Sequence, residues 1–243
     1  MGQSFFIWNG TDCRSMGVRL RSPLPIIRPE ERAEHVQIPG ASGDLTLLEG
    51  DAVYNSYIHT ASISVKGWAN VRRVYDWLRG SGYLTTSAEP DRRQPARVIG
   101  AITLDKLSKN LDIWAGECQF YCQPLKELLI PERTTLTAPG NVQNRGNVIE
   151  RPKYKVTVMT NQYPMVLSVT HTEGSSTTYE AISIEGGNSP VYIDTETYEV
   201  TDSAGNSIMD LCSGSFPVLR PGANAVNGEW WSKVEITRRE RFL

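Results

Sequence analysis

Apolar and polar positions alternate with a period of two through much of this chain. In residues 58–65, one face of the pattern carries Ile58 and three hydroxyl side chains, and the other carries His59, Ala61, Ile63 and Val65. Successive side chains of a strand point to opposite faces, so this pattern predicts a strand that buries its second face. Further segments rich in β-branched and aromatic residues also predict strands: SFFIWNG, ARVIGAITLDKL, IWAGECQFYC, YKVTVM, MVLSVTH, YEAISI and SPVYIDTETYEV. The chain is therefore predicted to be mainly β.

Residues 70–80 follow a helical period instead. Their apolar residues recur at i, i+3, i+4 and i+7 from Val71, which predicts a short helix lying on a sheet. Asn70 is the predicted N-cap, because its side chain can accept a hydrogen bond from the first free N–H groups. Gly80 and Gly82 are stop signals at the other end. The N-terminal half is thus expected to be an α+β domain with one helix.

Three segments combine Pro, Gly and small polar residues, and they are predicted to be irregular: 21–43, 85–96 and 130–152. The first is expected to form an extended arm that lies on a neighbour or in solvent. The third predicts a boundary between two domains, residues 1–131 and 132–243. Beyond it, turn signals recur every ~10–15 residues, which is typical of a β-sandwich or jelly roll.

Composition and charge narrow the possible functions. With 40% hydrophobic residues, 21% charged residues and a net charge of −2, the chain has the values of an ordinary globular protein and lacks the basic excess of a dedicated DNA-binding protein. The arginine pairs at 72–73, 92–93 and 238–239 are interpreted as solvated faces. No stretch reaches the ~18 apolar residues that a membrane span needs, and the first residues lack the pattern of a signal peptide. We expect a protein made in the cytosol.

The four cysteines are too few for a disulfide framework. Cys118 and Cys122 lie in a segment that reads as extended, so their Cα atoms would be roughly 13 Å apart at ~3.3 Å per residue. That distance exceeds the reach of a disulfide, and it does not suit a shared metal unless the strand bends. Both cysteines are predicted to be small apolar residues on one strand face.

No residue pattern predicts a catalytic site. His35, His59 and His171 are isolated in sequence and match no metal-ligand spacing. Asp194 and Glu196 would share one strand face at roughly 7 Å, a spacing that resembles a glycosidase pair. Because two catalytic carboxylates at i, i+2 of one strand are unusual, an exposed strand face is preferred. We expect no enzyme activity and no metal or other cofactor.

Exposed aromatic residues favour one alternative, a carbohydrate-binding β-sandwich module without catalysis. Trp230, Trp231 and Tyr179 are the candidates for stacking on a sugar. Adjacent strand residues point to opposite faces, so at most one of the two tryptophans would be available and the other would be core.

The C-terminal part carries a longer motif, G-x-F-P-x-L-x-P-G-x-N, with fixed residues Gly214, Phe216, Pro217, Leu219, Pro221, Gly222 and Asn224. It stands after Ile193–Glu196 and before a strand at Val234–Thr237 and a basic-aromatic end at Arg238–Phe242. The prolines fix φ, the glycines allow tight turns, and Asn224 suits an Asx turn. The order of these elements resembles the distal tail proteins of long-tailed phages.

The N-terminal half resembles the same family. Phe6–Gly10, with Asn9 and Gly10 at the turn, is similar to the family's opening strand. The segment Ile38–Leu45 is similar to its arm motif, with Ala41 where the family has a basic residue. The remaining elements follow in order: Gly50-x-x-x-Tyr54, Glu89–Arg92, and Asn144-x-Gly146 before Pro152.

The resemblance implies a structural virion protein at the phage tail tip. Such proteins form a hexameric ring that joins the tail tube to the tail-associated tip protein, with DNA passing through the lumen without specific binding. The N-terminal domain would be a tail-tube-like β-sandwich or barrel with one helix, and it would make the ring. The C-terminal domain would be a galectin-like β-sandwich whose last strand returns toward the N-terminal domain, and receptor-binding proteins would attach to it.

A closed head-to-tail ring needs two complementary patches on each subunit. One predicted patch is the arm, residues 21–45, with interface residues Pro23, Pro25, Pro29, Ile38, Pro39, Gly40, Gly43 and Leu45. A weakly negative lumen wall would repel DNA, and the near-neutral net charge permits one. His171 is followed by Thr-Glu-Gly-Ser, so the H-x-N-x-R type motif of galectins is absent. The C-terminal domain is therefore predicted to dock proteins without lectin activity.

Overall fold

The computed structural model describes residues 4–40, 42–48, 53–108, 110–160 and 162–243. The chain divides into two compact units, one formed by the residues up to Leu129 with Leu243, and the other by Ile130–Phe242. Each unit has its own cluster of buried apolar side chains. The predicted classes, a mainly β chain with one helix in the N-terminal unit and a sandwich in the C-terminal unit, are confirmed.

The N-terminal unit is an antiparallel sheet with a helix on one face. Its elements are β1 (Phe6–Trp8), β2 (Thr11–Asp12), a 3-10 turn (Cys13–Met16), β3 (Val18–Leu20), β4 (Ala33–Gln37), β5 (Asp44–Leu48), β6 (Tyr57–Lys66), α1 (Trp68–Trp77), β7 (Ser81–Thr86), β8 (Glu89–Ser108), β9 (Leu111–Cys122) and β10 (Lys126–Leu128). The strand order is β2-β1-β7-β8-β9-β6-β3, with β10 also paired to β8. Strands β4 and β5 form a separate two-stranded hairpin.

The alternation predicted for residues 58–65 is confirmed. His59, Ala61, Ile63 and Val65 are buried, and they face the core that also holds Val71 and Val74 of α1. Cys118 and Cys122 are buried as free thiols on the neighbouring strand β9, as predicted, and burial raises the pKa of each thiol to about 12. These residues belong to the packed interior of the N-terminal unit.

The helix begins earlier than predicted, and Asn70 is not its cap. Gly67 occupies the N-cap position with φ 91°, and Asp112 Oδ2 accepts a hydrogen bond from the Trp68 N–H at 3.3 Å. The Asn70 side chain instead donates to the Lys66 carbonyl at 2.8 Å. The cap therefore comes from a residue that is distant in sequence.

The C-terminal unit is a sandwich of two antiparallel sheets. Its strands are β11 (Glu132–Leu136), β12 (Gly140–Asn144), β13 (Lys153–Val158), β14 (Met165–Glu173), β15 (Ser176–Ile184), β16 (Val191–Asp194), β17 (Glu199–Thr201), β18 (Cys212–Gly214), β19 (Gly222–Glu229), β20 (Trp231–Arg238) and β21 (Arg241–Phe242). One sheet has the order β11-β20-β13-β16-β17 and the other β12-β19-β14-β15-β18. Tyr154, Leu167, Ile182 and Ile193 are among the side chains buried between them.

The predictions of irregular backbone were too broad. Residues 33–37, 85–86 and 89–96 lie in strands, and β11 and β12 occupy much of the segment expected to be a linker. Asn161, one of the residues that predict turns in the C-terminal half, lies outside the described residues. Proline and glycine interrupt these strands without preventing their pairing, because several of them stand at strand ends or turns.

Candidate interaction surfaces

The residues considered for catalysis lie apart. His35 is in the β4–β5 hairpin with its Nδ1 3.1 Å from Thr46 Oγ1, whereas His171 is buried with Nδ1 2.9 Å from the Ala223 carbonyl. His59 is buried in the N-terminal unit, and burial, followed by the charge of Lys126, lowers its pKa to about 4. Within the described part of the chain, no group of three or more His, Cys, Asp or Glu residues could hold a metal.

Asp194 and Glu196 do not share a strand face, so that expectation was wrong. Strand β16 ends at Asp194, whose Oδ1 accepts hydrogen bonds from the Glu196 and Thr197 N–H groups. Lys153 Nζ lies 2.5 Å from Asp194 Oδ2. The aspartate therefore shapes a turn between β16 and β17.

The two adjacent tryptophans differ as predicted. Trp231 is 5% exposed and belongs to the sandwich core, whereas Trp230 has φ 63° and is 43% exposed. Tyr179 is exposed on β15. Only Trp230 and Tyr179 remain accessible among the three residues proposed for sugar stacking.

The motif of residues 214–224 forms a tight, buried connection into β19. Asn224 is fully buried; its Oδ1 accepts from the Arg220 N–H at 2.9 Å, and its Nδ2 donates to the Arg220 and Gly222 carbonyls at 2.7 and 3.0 Å. Leu219 is also fully buried and exchanges backbone hydrogen bonds with Glu150. Gly214 and Gly222 take φ values of 98° and 97°, which favour glycine. The remaining motif residues Phe216, Pro217 and Pro221 are half-buried, buried and exposed, respectively.

The opening motif of the N-terminal unit is also a turn. Asn9 and Gly10 both have positive φ, at 49° and 79°. Asn9 Oδ1 accepts a hydrogen bond from the Tyr83 N–H at 2.9 Å, and a Cβ atom on Gly82 would overlap the Asn9 side chain. The asparagine therefore joins β1 to β7 through a close approach that only glycine permits.

The predicted arm is an exposed hairpin on a buried anchor. Leu24 is 5% exposed and Pro29 is also buried, while Pro23 and Pro25 are exposed. The backbone of Glu30–Arg32 pairs with Val53–Asn55 at the base of the hairpin. At the tip, Gly40 and Gly43 have positive φ and Pro39 is exposed; Ala41 and Gly50 of the family motifs lie outside the described residues. The hairpin's exposed large apolar side chains are Ile38, Leu45, Leu47 and Leu48.

The open face of the large sheet is rich in hydroxyl and amide groups. Thr60 pairs with Gln119, and Ser62 with Glu117, across β6 and β9. Along β8, this face continues with Arg97, Ile99, Thr103 and Asp105, and the exposed side chains of Ile58 and Tyr121 pair across β6 and β9 on the same face. The positions that the registers place together carry acidic and basic side chains in comparable number, so this face has no strong charge.

One sheet of the sandwich has a groove of about 530 Å³ on its outer face. Two rows of side chains cross the strands there. The first row runs Arg133, Thr237, Lys153, Asp194 and Glu199, with its cations toward β11 and its carboxylates toward β17. The second row runs Thr135, Glu235, Lys155, Tyr192 and Thr201. The groove thus presents positively and negatively charged hydrogen-bonding groups around the half-exposed ring of Tyr192.

Solved structures of other proteins share this architecture. No family model and no curated protein sequence matches the chain. The SPP1 Dit protein, a paradigm of the hub adsorption apparatus of phages that infect Gram-positive bacteria, matches over 100% of both chains with a TM-score of 0.73 at 19% identity. The chain has the SPP1 Dit fold. A chain of the phage P2 baseplate in its activated conformation with Ca also matches, with a TM-score of 0.50 at 10% identity, over 99% of this chain and 98% of that one. The Dit fold accounts for both units, because the match spans the whole sequence.

Proposed function

We propose that this chain is a distal tail hub subunit, a structural virion protein that forms a hexameric ring between the tail tube and the tip proteins of a phage. The observation that carries the proposal is the full-length match in fold to SPP1 Dit, which covers the N-terminal sheet and the C-terminal sandwich together. The motifs at residues 6–10, 38–45 and 214–224 support the same family from the sequence. No helix in the described residues combines the length and apolar character of a membrane span.

In this proposal the arm hairpin is one of the two patches that close the ring. Leu45 and Leu47 lie on the same face of β5 and are 47% and 46% exposed, and Ile38 at the tip of the hairpin is 47% exposed. Contiguous exposed apolar groups of this kind mark protein interfaces more often than free surface. A head-to-tail contact through such a patch closes into a ring when its rotation is a simple fraction of a turn.

The hydroxyl-rich face of β6, β8 and β9 is our candidate for the lumen wall. Glu117 and Asp105 on this face are acidic, and Arg97 is basic. Its other polar side chains are neutral: Thr60, Ser62 and Gln119. A wall without a cationic stripe gives few counterion-releasing contacts to DNA phosphates. DNA would therefore pass without being held.

The sandwich would anchor proteins of the adsorption apparatus, and its outer groove is the docking surface that we favour. The groove presents fixed donors and acceptors from five strands, with Lys153 paired to Asp194 and Lys155 3.7 Å from Glu235. Saturable binding of a host cell-wall polysaccharide by the full chain would contradict this and favour a carbohydrate-binding module.

Native mass spectrometry tests the ring. Six copies of a 27.1 kDa chain give about 160 kDa. The double variant Ile38→Asp, Leu45→Asp is expected to be a folded monomer, because two buried carboxylates would be left without partners in the contact. Ile130→Asp, at an 80% exposed position outside the arm, is the matched control and should still assemble. A wild-type chain that stays monomeric at every concentration contradicts self-assembly.

A further inference from the structure

The outer groove of the sandwich carries an unpaired charge at each of its two ends. Arg133 on β11 and Glu199 on β17 both line the groove, and both are exposed. Neither side chain forms an ion pair within the part of the chain that the structure describes. Strands β11 and β17 are the two end strands of their sheet. The groove therefore has an available cation at one end and an available carboxylate at the other.

The charged lining residues between these ends are already paired. Lys153 Nζ lies 2.5 Å from Asp194 Oδ2, and Lys155 Nζ lies 3.7 Å from Glu235 Oε2. These two cations and two carboxylates balance each other among the lining residues of the middle strands. A ligand in the groove therefore finds unpaired charge only at the ends.

The strand register fixes the distance between the two ends. One row of paired residues crosses the sheet between them: Arg133, Thr237, Lys153, Asp194 and Glu199. Neighbouring strands lie about 4.8 Å apart, so the row across these strands is roughly 19 Å long between Cα atoms. An extended polypeptide rises ~3.3 Å per residue and covers that distance in about six residues. The groove thus has the length of a short extended segment.

The charges at the ends discriminate between classes of ligand. A polyanion would be repelled at Glu199, and a polycation would be repelled at Arg133. A neutral glycan would leave both charges without a partner. A polypeptide segment with one acidic and one basic side chain about six residues apart can pair with both ends, and the hydroxyl groups of Thr135 and Thr201 can hydrogen-bond its main chain.

We infer that the outer groove binds an extended polypeptide segment that lies across the strands, with an acidic side chain at Arg133 and a basic side chain at Glu199. The inference rests on the proposed function and specifies its partner, because the segment would belong to another protein of the tail. Charge complementarity of this kind sets the orientation and the register of the segment more than its affinity. Tyr192, 41% exposed in the middle of the groove, offers an apolar contact between the two charges.

A set of matched peptides tests the inference. Three fluorescently labelled peptides of one length, otherwise made of Ser, Thr and Val, carry two charged residues about six positions apart. The pair is Glu and Lys in the first peptide, two Glu in the second and two Lys in the third. Fluorescence anisotropy with the full chain at low ionic strength measures the dissociation constants. The wild type should bind the Glu/Lys peptide about fivefold or more tightly than either of the others.

Charge reversal at the ends should change which peptide binds. Arg133→Glu makes both ends acidic and should transfer the preference to the peptide with two Lys. Glu199→Lys makes both ends basic and should transfer it to the peptide with two Glu. The two substitutions combined exchange the ends, so the Glu/Lys peptide should bind again in the opposite direction.

Two controls separate the groove from the overall charge of the chain. Arg79→Glu and Glu173→Lys make the same changes of charge at exposed positions outside the groove, and they should keep the preference of the wild type. A variant that failed to fold would lose all binding, whereas binding of a different peptide requires a folded groove. Thermal unfolding verifies the folded state of each variant.

The outcomes separate this inference from the proposed ring. A wild type that binds no peptide, or a preference that the end reversals leave unchanged, overturns the inference. Saturable binding of maltohexaose without any preference among the peptides assigns the groove to a neutral glycan and also overturns it. Native mass spectrometry tests the ring independently: a ring without the peptide preference leaves the hub function standing, and a monomer that shows the preference and its transfer supports the groove while it contradicts self-assembly.

Discussion

Arg238 Nη1 lies 3.3 Å from Glu150 Oε2, and only 3% and 1% of the two side chains are exposed. The same guanidinium contacts Glu132 at 2.7 Å and Glu240 at 3.2 Å. One arginine thus holds three carboxylates at the end of the sandwich. The arginine pair at 238–239 was interpreted from the sequence as a solvated face. For Arg238 that interpretation was wrong, because its side chain is buried.

Removal of this arginine should strongly destabilise the C-terminal unit. Arg238→Met leaves the buried side chain of Glu150 without its cationic partner, whereas Glu240 keeps Arg145 at 3.1 Å. We expect a loss of about 3–5 kcal/mol in the free energy of unfolding. Urea denaturation followed by tryptophan fluorescence measures this loss. Arg133→Met, an exposed position in the same sheet, should change stability by less than about 0.5 kcal/mol. Equal effects of the two substitutions would show that the buried cluster contributes nothing.

The stability of the two units should depend on pH in opposite senses. Burial outweighs the attraction of Arg238 and raises the pKa of Glu150 to about 7 from 4.5. The folded C-terminal unit therefore keeps a proton that the unfolded chain releases, and its stability falls as pH rises from 4.5 to 7. Burial lowers the pKa of His59 to about 4 from 6.5, so the unfolded chain gains a proton first and the N-terminal unit loses stability as pH falls from 6.5 to 4.

Amide hydrogen exchange at pH 4.8 and 6.8 distinguishes the two effects. Protection in β6 should be higher at pH 6.8 and protection in β13 higher at pH 4.8, after correction for intrinsic exchange rates. Glu150→Gln should flatten only the second dependence and His59→Gln only the first. The same slope in both units for the wild type would contradict the prediction.

Asn224 should be essential to the connection before β19. Asn224→Ala removes three hydrogen bonds from a fully buried side chain and leaves the Arg220 N–H and carbonyl without them, which should cost about 1–3 kcal/mol. Chemical denaturation measures the loss. Asn141→Ala, at an exposed position of β12, is the matched control and should be nearly neutral. A neutral Asn224→Ala would mean that water replaces the side chain at no cost.

Gly82 should not tolerate a side chain. A Cβ atom there would overlap the Asn9 amide that accepts the Tyr83 N–H, so Gly82→Ala must displace the β1–β2 turn. We expect a lower thermal midpoint by several degrees, in line with a loss of about 1–3 kcal/mol from overpacking. Ser81→Ala, one residue away and exposed, should leave the midpoint unchanged. If Asn9→Ala rescued Gly82→Ala, the overlap would be established as the cause.

Sequence reasoning succeeded where local chemistry decides the structure. The alternation of residues 58–65 identified which side of β6 is buried. Because Trp230 and Trp231 are adjacent, the sequence also predicted that one of them is buried and the other accessible. The positive φ of Asn9 and Gly10 follows the turn expected there. These features depend on neighbours within a few residues.

Sequence reasoning failed where residues distant in sequence decide the structure. At the start of α1, the Trp68 N–H donates a hydrogen bond to Asp112, which lies 44 residues away in sequence. The exposure of Arg238 depends on Glu150 and Glu132, which come from different parts of the chain. Arg14, Arg19 and Lys66 line one cavity of the N-terminal unit, and no spacing in the sequence signals that proximity.

The arm hairpin is anchored by buried Leu24 and Pro29 at its base, yet within the described part of the chain its two strands pair only with each other. A lone two-stranded hairpin is marginally stable in water, and open strand edges pair readily with whatever strand they meet. In the proposed ring, each newly made subunit would therefore carry an aggregation-prone segment until a neighbouring subunit covered it. Assembly of the proposed ring would then compete with aggregation, so the yield of assembled particles should depend on how quickly subunits meet after synthesis.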